Sequence, residues 1–272
     1  MRVGIGLPTV LEGAPAALTP AWARRAEAAG FASLGVHDRL AFAGLEALTA
    51  LAAAAAVTER ARLAALVAVG PLRGGAAVLA KQAATVAALA GGRFTLGLGA
   101  GPRRDDYEAS GLPFERRGRL LDAQLAGLRD LLPAGVEVVI GGAANATFAR
   151  TARYADGYCH GGGPPRAFLA AADRVRAAWS DAGRPGRPRL WGMGYFALGP
   201  GAAEAGRQDL LRYYAFTGAA AGRIADGLLT APEAVAEHCA AYAEAGCDEL
   251  VLFPTVPDLA QVDRLAEAVA AR

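Results

Sequence analysis

Apolar residues fall along this chain in short unbroken runs, separated by longer stretches in which they recur every three or four positions. The runs Val3 to Leu7, Leu34 to Val36, Leu63 to Val69, Phe94 to Leu98, Val136 to Ile140, Gly157 to His160, Leu190 to Leu198 and Glu249 to Phe253 predict strands. Continuous rather than alternating hydrophobicity marks strands covered on both faces, as in a parallel sheet wrapped by helices. Helical periodicity fills the gaps: from Thr19-Pro20 to Ala29, then Gly44 to Thr58, Ala76 to Ala90, Arg117 to Leu132, Ala144 to Tyr154 and Arg166 to Ala182. One or two helices span Ala202 to Ala225, and Leu259 to Ala270 forms the last. Thr19 reads as an N-cap with Pro20 at the first helical position, and Thr230-Ala231-Pro232-Glu233 as a capping box. Arg103 to Asp106 reads as a charged loop.

Strand and helix alternate throughout, and eight such units fit the count of a (β/α)8 TIM barrel, an α/β fold occupying residues 1–272 as a single domain. The rival, an open doubly wound sheet, requires a strand followed by G-x-G-x-x-G at a helix start. Gly97-x-Gly99-x-Gly101 has the wrong spacing. No linker or shift in composition marks a second domain.

Composition narrows the function. The chain is 54% hydrophobic, enough for a sizeable core, and its formal net charge of +2 gives no reason to expect nucleic acid or an anionic membrane surface. No apolar run reaches the length of a membrane span, and the N-terminus shows no signal-peptide pattern, so a cytoplasmic location is expected. Cys159, Cys239 and Cys247 lack metal-ligand spacing and read as reduced thiols. Lys81, the single lysine, sits mid-helix, a poor position for Schiff-base chemistry.

The C-terminal ends of barrel strands carry the site in this architecture. Here those ends read His37-Asp38-Arg39 after strand two, Gly99-Ala100-Gly101 after strand four, Gly141-Gly142 after strand five, and His160 with Gly161 and Gly162 after strand six. This rim is mostly glycine and apolar, with dispersed histidines and no metal-ligand set. Such a mouth suits a large planar cofactor that brings its own chemistry. Gly141-Gly142 precedes a helix, and its free N–H groups make an anion socket; Gly161-Gly162-Gly163 offers a second beside it. Together they would hold one phosphate.

Two longer stretches carry a resemblance. AKQAATVAALAGGRFTLGLGAGPRRDDYEASGLPFERRGRLLDA (residues 80–123) and VVIGGAANATFARTARYADGY (residues 138–158) resemble the bacterial-luciferase-like flavin-dependent monooxygenase superfamily, including its coenzyme F420-dependent oxidoreductase branch. The resemblance implies a flavin or deazaflavin ring in the barrel mouth, either FMN or F420, with Gly99 and Gly101 making room for it. It implies a non-proline cis peptide near Leu66-Val67 as a bulge against the ring, and a phosphate held by Gly141, Gly142 and the segment from His160 through Gly161 and Gly162. It also implies a homodimer through helices two and three, packed on the Ala-rich face Ala47 to Ala56, with a small-molecule substrate and a separate flavin reductase as partners.

The sequence departs from its relatives at strand two. Deazaflavin-dependent members commonly read Asp-His there; this chain reads His37-Asp38-Arg39, with the histidine one position early. Asp38 is the first candidate for a polar group at the ring, with Arg39 and His37 as further catalytic candidates. The function expected is a flavin- or deazaflavin-dependent oxidoreductase or monooxygenase acting on a small organic substrate. The alternatives are a non-catalytic flavin-binding barrel relative and a flavin-free barrel enzyme for small phosphorylated substrates.

Overall fold

A computed structural model describes residues 1–270. Eight parallel strands close into a barrel in sequence order: β1 Arg2–Gly6, β2 Ser33–Val36, β3 Arg62–Val69, β4 Phe94–Gly99, β5 Glu137–Gly141, β6 Gly157–Cys159, β7 Arg189–Phe196 and β8 Glu249–Pro254. The outer layer is α1 Leu18–Ala28, α2 Ala47–Ala55, α3 Ala76–Leu89, α4 Arg104–Ser110, α5 Arg117–Leu128, α6 Asn145–Tyr154, α7 Pro165–Asp181, α8 Ala202–Tyr213, α9 Ala220–Ala225, α10 Pro232–Glu244 and α11 Ala260–Ala270. The predicted (β/α)8 fold is therefore the observed one, and two helices, α8 and α9, occupy the stretch from Ala202 to Ala225.

Three local expectations are corrected. The segment after Gly101 is not a loop: α4 forms there, because Tyr107 donates its hydroxyl to the Ala100 carbonyl and Asp106 accepts from the amides of Leu40 and Ala41. The capping box at Thr230 does not form. Pro232 sits at the first helical position and holds the preceding Ala231, at φ −131° and ψ 147°, in extended conformation, so the boundary falls at Ala231. Thr19 lies inside α1 rather than capping it, since the turn from Pro15 to Leu18 already starts the helix; Pro20 falls within the first turn, where a missing N–H costs nothing. An unpredicted cap is Glu46, whose carboxylate accepts from the amides of Leu48 and Thr49 at the head of α2.

Side chains alternate across each strand. Outward residues such as Ile5, Leu34, Leu96 and Leu252 join the large core under the helices, whereas Trp191, Met193, Val251 and Phe253 fill the barrel interior. The interior is lopsided. Large residues on β7 and β8 lean over glycines opposite them: a Cβ on Gly6 would lie 2.2 Å from the Phe253 ring. At the N-terminal end the first residues of the strands form a polar plug. Glu249 accepts from Arg2 (2.6 Å) and Arg189 (2.9 Å), Arg189 pairs with Glu137 (3.3 Å), and Thr95 links Glu137 to Arg62. This end is closed, so a ligand enters the barrel from the other.

Strand β3 carries one extra residue. Ala65 pairs with Leu96 and Ala68 with Leu98, leaving Leu66 and Val67 opposite Gly97 alone. The Leu66-Val67 peptide is cis, at the position the resemblance implies. Both side chains pack in the barrel interior instead of alternating.

Among the described residues no helix is long and apolar enough to cross a membrane, and no cluster of His, Cys, Asp or Glu could hold a metal ion. All three cysteines are buried without a disulfide between them, and Lys81 is exposed on α3.

Candidate functional site

A cleft of about 800 Å³ opens at the C-terminal ends of the strands. Twelve residues that the sequence nominates line it: His37, Asp38 and Arg39 after β2, Leu66 and Val67 from the β3 bulge, Gly99 and Gly101 at the end of β4, Gly141 and Gly142 at the end of β5, and His160, Gly161 and Gly162 after β6; Gly163, the third glycine of the second socket, is not among the lining residues. The volume falls within the range of pockets for drug-sized or cofactor-sized ligands.

The glycines act differently from the expectation that they leave room for a ring. A Cβ on Gly99 would stand 2.9 Å from Val67 Cγ2, one on Gly97 3.0 Å and one on Gly141 2.8 Å from Val67 Cγ1. Gly101 faces Val69 in the same way, at 2.8 Å. These glycines thus form a socket for the β3 bulge and its neighbour, and the bulge, rather than bare backbone, presents the apolar wall of the cleft.

At one end of the cleft lies the head of α6. Gly141 to Ala144 leads straight into this ten-residue helix, and no side chain among the described residues caps its first turn. The positive end of the helix lies at the cleft lining, which includes Ala143, Ala144, Ala146 and Thr147; the Thr147 amide turns back to the Ala144 carbonyl (2.8 Å). Arg117 and Arg150 line the same end. Arg150 is braced by Asp122 (2.6 Å) and the Gly118 carbonyl, and Arg117 by the Phe114 ring, with its guanidinium 3.9 Å from the ring centroid. His160 adds a buried Nδ1 with no hydrogen-bond partner, and burial pushes its imidazole below the usual histidine range. An unclaimed helix start, two arginines and an orphaned ring nitrogen together fit a phosphate-bearing cofactor.

The β2 triplet divides by strand alternation. His37 turns into the barrel and stacks on Phe253, ring centroids 3.8 Å apart. Its Nδ1 lies 3.2 Å from the Leu66 carbonyl and its Nε2 3.2 Å from the Tyr195 hydroxyl. Burial, with the positive charge of Arg39 nearby, pushes its pKa down to about 4. Asp38 turns the other way. It accepts from the Val69 amide (2.7 Å) and is clasped by Arg73, which also pairs with Glu46. Burial raises the Glu46 carboxyl, but the hydrogen bonds from Thr49 and the charge of Arg73 outweigh this and bring it to about 2. Arg39 binds Asp106 (2.8 Å), with both side chains almost wholly buried, and lies over the rings of Phe42 and Tyr213. Asp38 and Arg39 are therefore committed to ion pairs that fix the rim, and His37 is the member of the triplet with an uncharged polar edge.

Several lining residues escaped the sequence reading. Tyr213 at the end of α8, with Tyr214 and Phe216 just after it, lines one side of the cleft. Arg103 ties this segment down, donating to the Tyr213 carbonyl (2.8 Å) and stacking on Phe216 at 4.4 Å. The Tyr213-Tyr214 pair is itself a visible sequence signal: adjacent aromatics where α8 ends.

Residues 1–270 match the family described as luciferase-like monooxygenase. An uncharacterised protein of Mycobacterium tuberculosis is 32% identical over 207 residues, covering 60% of this chain and 71% of that protein. Pyrimidine monooxygenase RutA of Escherichia coli is 32% identical over 171 residues, and the match covers 52% of this chain but only 47% of RutA. Among solved structures, an F420-dependent secondary alcohol dehydrogenase in complex with an F420-acetone adduct superposes with a TM-score of 0.82 over 99% of this chain and 98% of its own, at 16% identity, a likeness of fold. The closed eight-stranded barrel agrees with the family match over residues 1–270, and this chain belongs to the luciferase-like monooxygenase family.

Proposed function

We propose that the chain is a flavin- or deazaflavin-dependent oxidoreductase acting on a small organic substrate. Members of this family use FMN or F420. The observation that carries the reading is the pairing, within one cleft, of the apolar β3 bulge with the uncapped head of α6 and its two arginines. One feature suits a flat ring, and the other suits the phosphate attached to it. When bound, such a cofactor supplies hydride transfer or, as a reduced flavin, oxygen chemistry. The protein's part is to hold the phosphate at α6, press Leu66 and Val67 against the ring and keep water from it. In the oxygen-using case a separate flavin reductase would deliver reduced cofactor. We place the protein in the cytoplasm as a homodimer.

The test is titration of the purified protein with FMN and with F420, read by fluorescence quenching and difference spectra. One of the two binds in the micromolar range on this reading, and Arg117→Ala or Arg150→Ala weakens it roughly tenfold by removing a charge-assisted contact. Failure of both cofactors to bind would overturn it. A second reading, a barrel that binds cofactor without turnover, is favoured by the engagement of Asp38 and Arg39 in ion pairs. It predicts the same binding, with no oxidation or reduction of any added substrate.

A further inference from the structure

The backbone ladder between β2 and β3 stops at the Val36–Ala65 pair, immediately before the bulge. The Leu66 carbonyl and the Val69 amide lie beyond that point, where a backbone group left unpaired is costly. Side chains that follow β2 take over from the ladder. His37 Nδ1 lies 3.2 Å from the Leu66 carbonyl, and Asp38 Oδ2 accepts from the Val69 amide at 2.7 Å. The bulge is gripped on both flanks by consecutive residues that turn in opposite directions.

Each grip is braced from behind. The Leu66 carbonyl can only accept, so His37 Nδ1 carries the hydrogen. Burial keeps the imidazole neutral, and its bare Nε2 accepts from the Tyr195 hydroxyl at 3.2 Å. Phe253 stacks on the ring face at 3.8 Å, so plane and orientation are both fixed. Asp38 is clasped by Arg73, four residues beyond Val69, and one carboxylate thus ties down both ends of the turn Gly70–Arg73 that leaves β3. Arg73 in turn pairs with Glu46 at the head of α2. At 9% exposure each, His37 and Asp38 present little surface to a ligand, whereas Val67, held between the two grips, is more open and lines the cleft.

We propose that His37 and Asp38 are positioning residues: they set how far Val67 stands into the cleft, and through Val67, rather than by contact, how tightly the ligand ring is held. The early histidine of the β2 triplet gains its role in this way. One step later along the strand, alternation would carry its ring away from the Leu66 carbonyl. The assignment rests on the proposed function in taking the bulge as the wall against the ring.

The clasp is read first without cofactor, from nuclear Overhauser contacts between the Val67 methyls and the Hα protons of Gly99 and Gly141, which face them across the sheet. These contacts should weaken in His37→Phe, which keeps a stacked ring but loses the donor, and persist in His37→Asn, whose amide nitrogen takes the place of Nδ1. They should weaken in Asp38→Ala, where Glu46 still neutralises Arg73, and persist in Asp38→Asn, which keeps an acceptor for the Val69 amide. FMN and F420 are then titrated into each variant, with near-UV circular dichroism checking that it is folded. The cofactor that the wild type binds should bind roughly tenfold more weakly to His37→Phe and Asp38→Ala, and within about threefold of the wild type to His37→Asn and Asp38→Asn. A purely structural role would lower the melting temperature without separating the two pairs in affinity. Affinities that do not separate the pairs, or Val67 contacts unchanged in all four variants, overturn the proposal. Absence of binding of both cofactors to the wild type would overturn the oxidoreductase reading, and the Val67 contacts alone then decide whether the clasp stands.

Discussion

His37, Asp38 and Arg39 are consecutive, yet each answers to a different neighbour. Alternation sends His37 inward onto Phe253 and Asp38 outward to Arg73, while Arg39 reaches across to Asp106. The sequence placed all three at the rim and put Asp38 first; it could not show what holds each one, because their partners are scattered along the chain from Leu66 to Phe253. The carboxylate expected to serve the ring is held by an arginine, and the imidazole is held neutral. Around His37 are Arg39, the Leu66 carbonyl, the hydroxyl of Tyr195 and the rings of Tyr213 and Phe253; the Asp209 carboxylate, which borders a small void together with His37 and Tyr195, is paired with Arg212 at 2.6 Å. The folded pKa of about 4 lies below the ordinary value of 6.5. The unfolded chain therefore binds the proton first, and stability present above pH 6.5 is lost as pH falls toward 4. Between pH 7.5 and pH 5 this one group should remove about 2 kcal/mol. Chemical denaturation of the wild type and His37→Phe across that range isolates the effect. Their stability difference should change by that amount, and a difference independent of pH would sink the idea.

At the scale of elements, the β3 bulge organises the site. Its two inward side chains need space on the facing strands, and glycine provides it: Gly35 beside Leu66, and Gly97, Gly99 and Gly141 around Val67. The alternate glycines of β4 thus match the bulge across the sheet. Their two positions should respond differently to alanine. At Gly97 the new methyl would lie 2.2 Å from the Ala65 carbonyl oxygen, which is backbone and cannot swing aside. Gly97→Ala should lower stability by about 1–3 kcal/mol, as overpacking in a core does, measured by urea denaturation. At Gly99 the nearest atom is the Val67 side chain, at 2.9 Å. Gly99→Ala should push Val67 toward the cleft and weaken cofactor binding with a smaller loss of stability. Equal stability losses at the two positions would contradict this account. The strands, the glycine-ended β4 and the bulge position were legible in sequence, since buried strands and ordered multi-residue motifs leave local traces. Helix α4 was not, because its Arg104–Ser110 stretch lacks apolar periodicity and is held by Ala100 and the β2 loop. The Val67 socket was also hidden, since glycine in a strand marks close approach without naming what approaches.

In the whole molecule, the polar plug under the barrel and the cleft above it give the chain one working end, and the outer helices remain for assembly. The outward face of α3 carries Val78 and Leu89, each 53% exposed, with Lys81 and Thr85 between them on the same side. Ala53 of α2 and Ala56 just after it are exposed beside it, small enough to let a second helix come close. Apolar side chains half open to water on two packed helices gain by pairing with a second copy of the same face, and a two-fold arrangement closes on itself. The proposed homodimer through α2 and α3 therefore predicts a solution mass twice that of the chain in sedimentation equilibrium. Leu89→Glu, which would place two like charges in a shared apolar seam, should shift the population to monomer. The cleft lining comes from the strand ends, the loops after them, α4, α5, α6 and the end of α8 with the segment after it, rather than from these faces. Cofactor titration of the Leu89→Glu monomer should consequently match the wild type within about twofold. A wild-type chain that sediments as a monomer would remove this interface, and a Leu89→Glu dimer would move it elsewhere on the barrel.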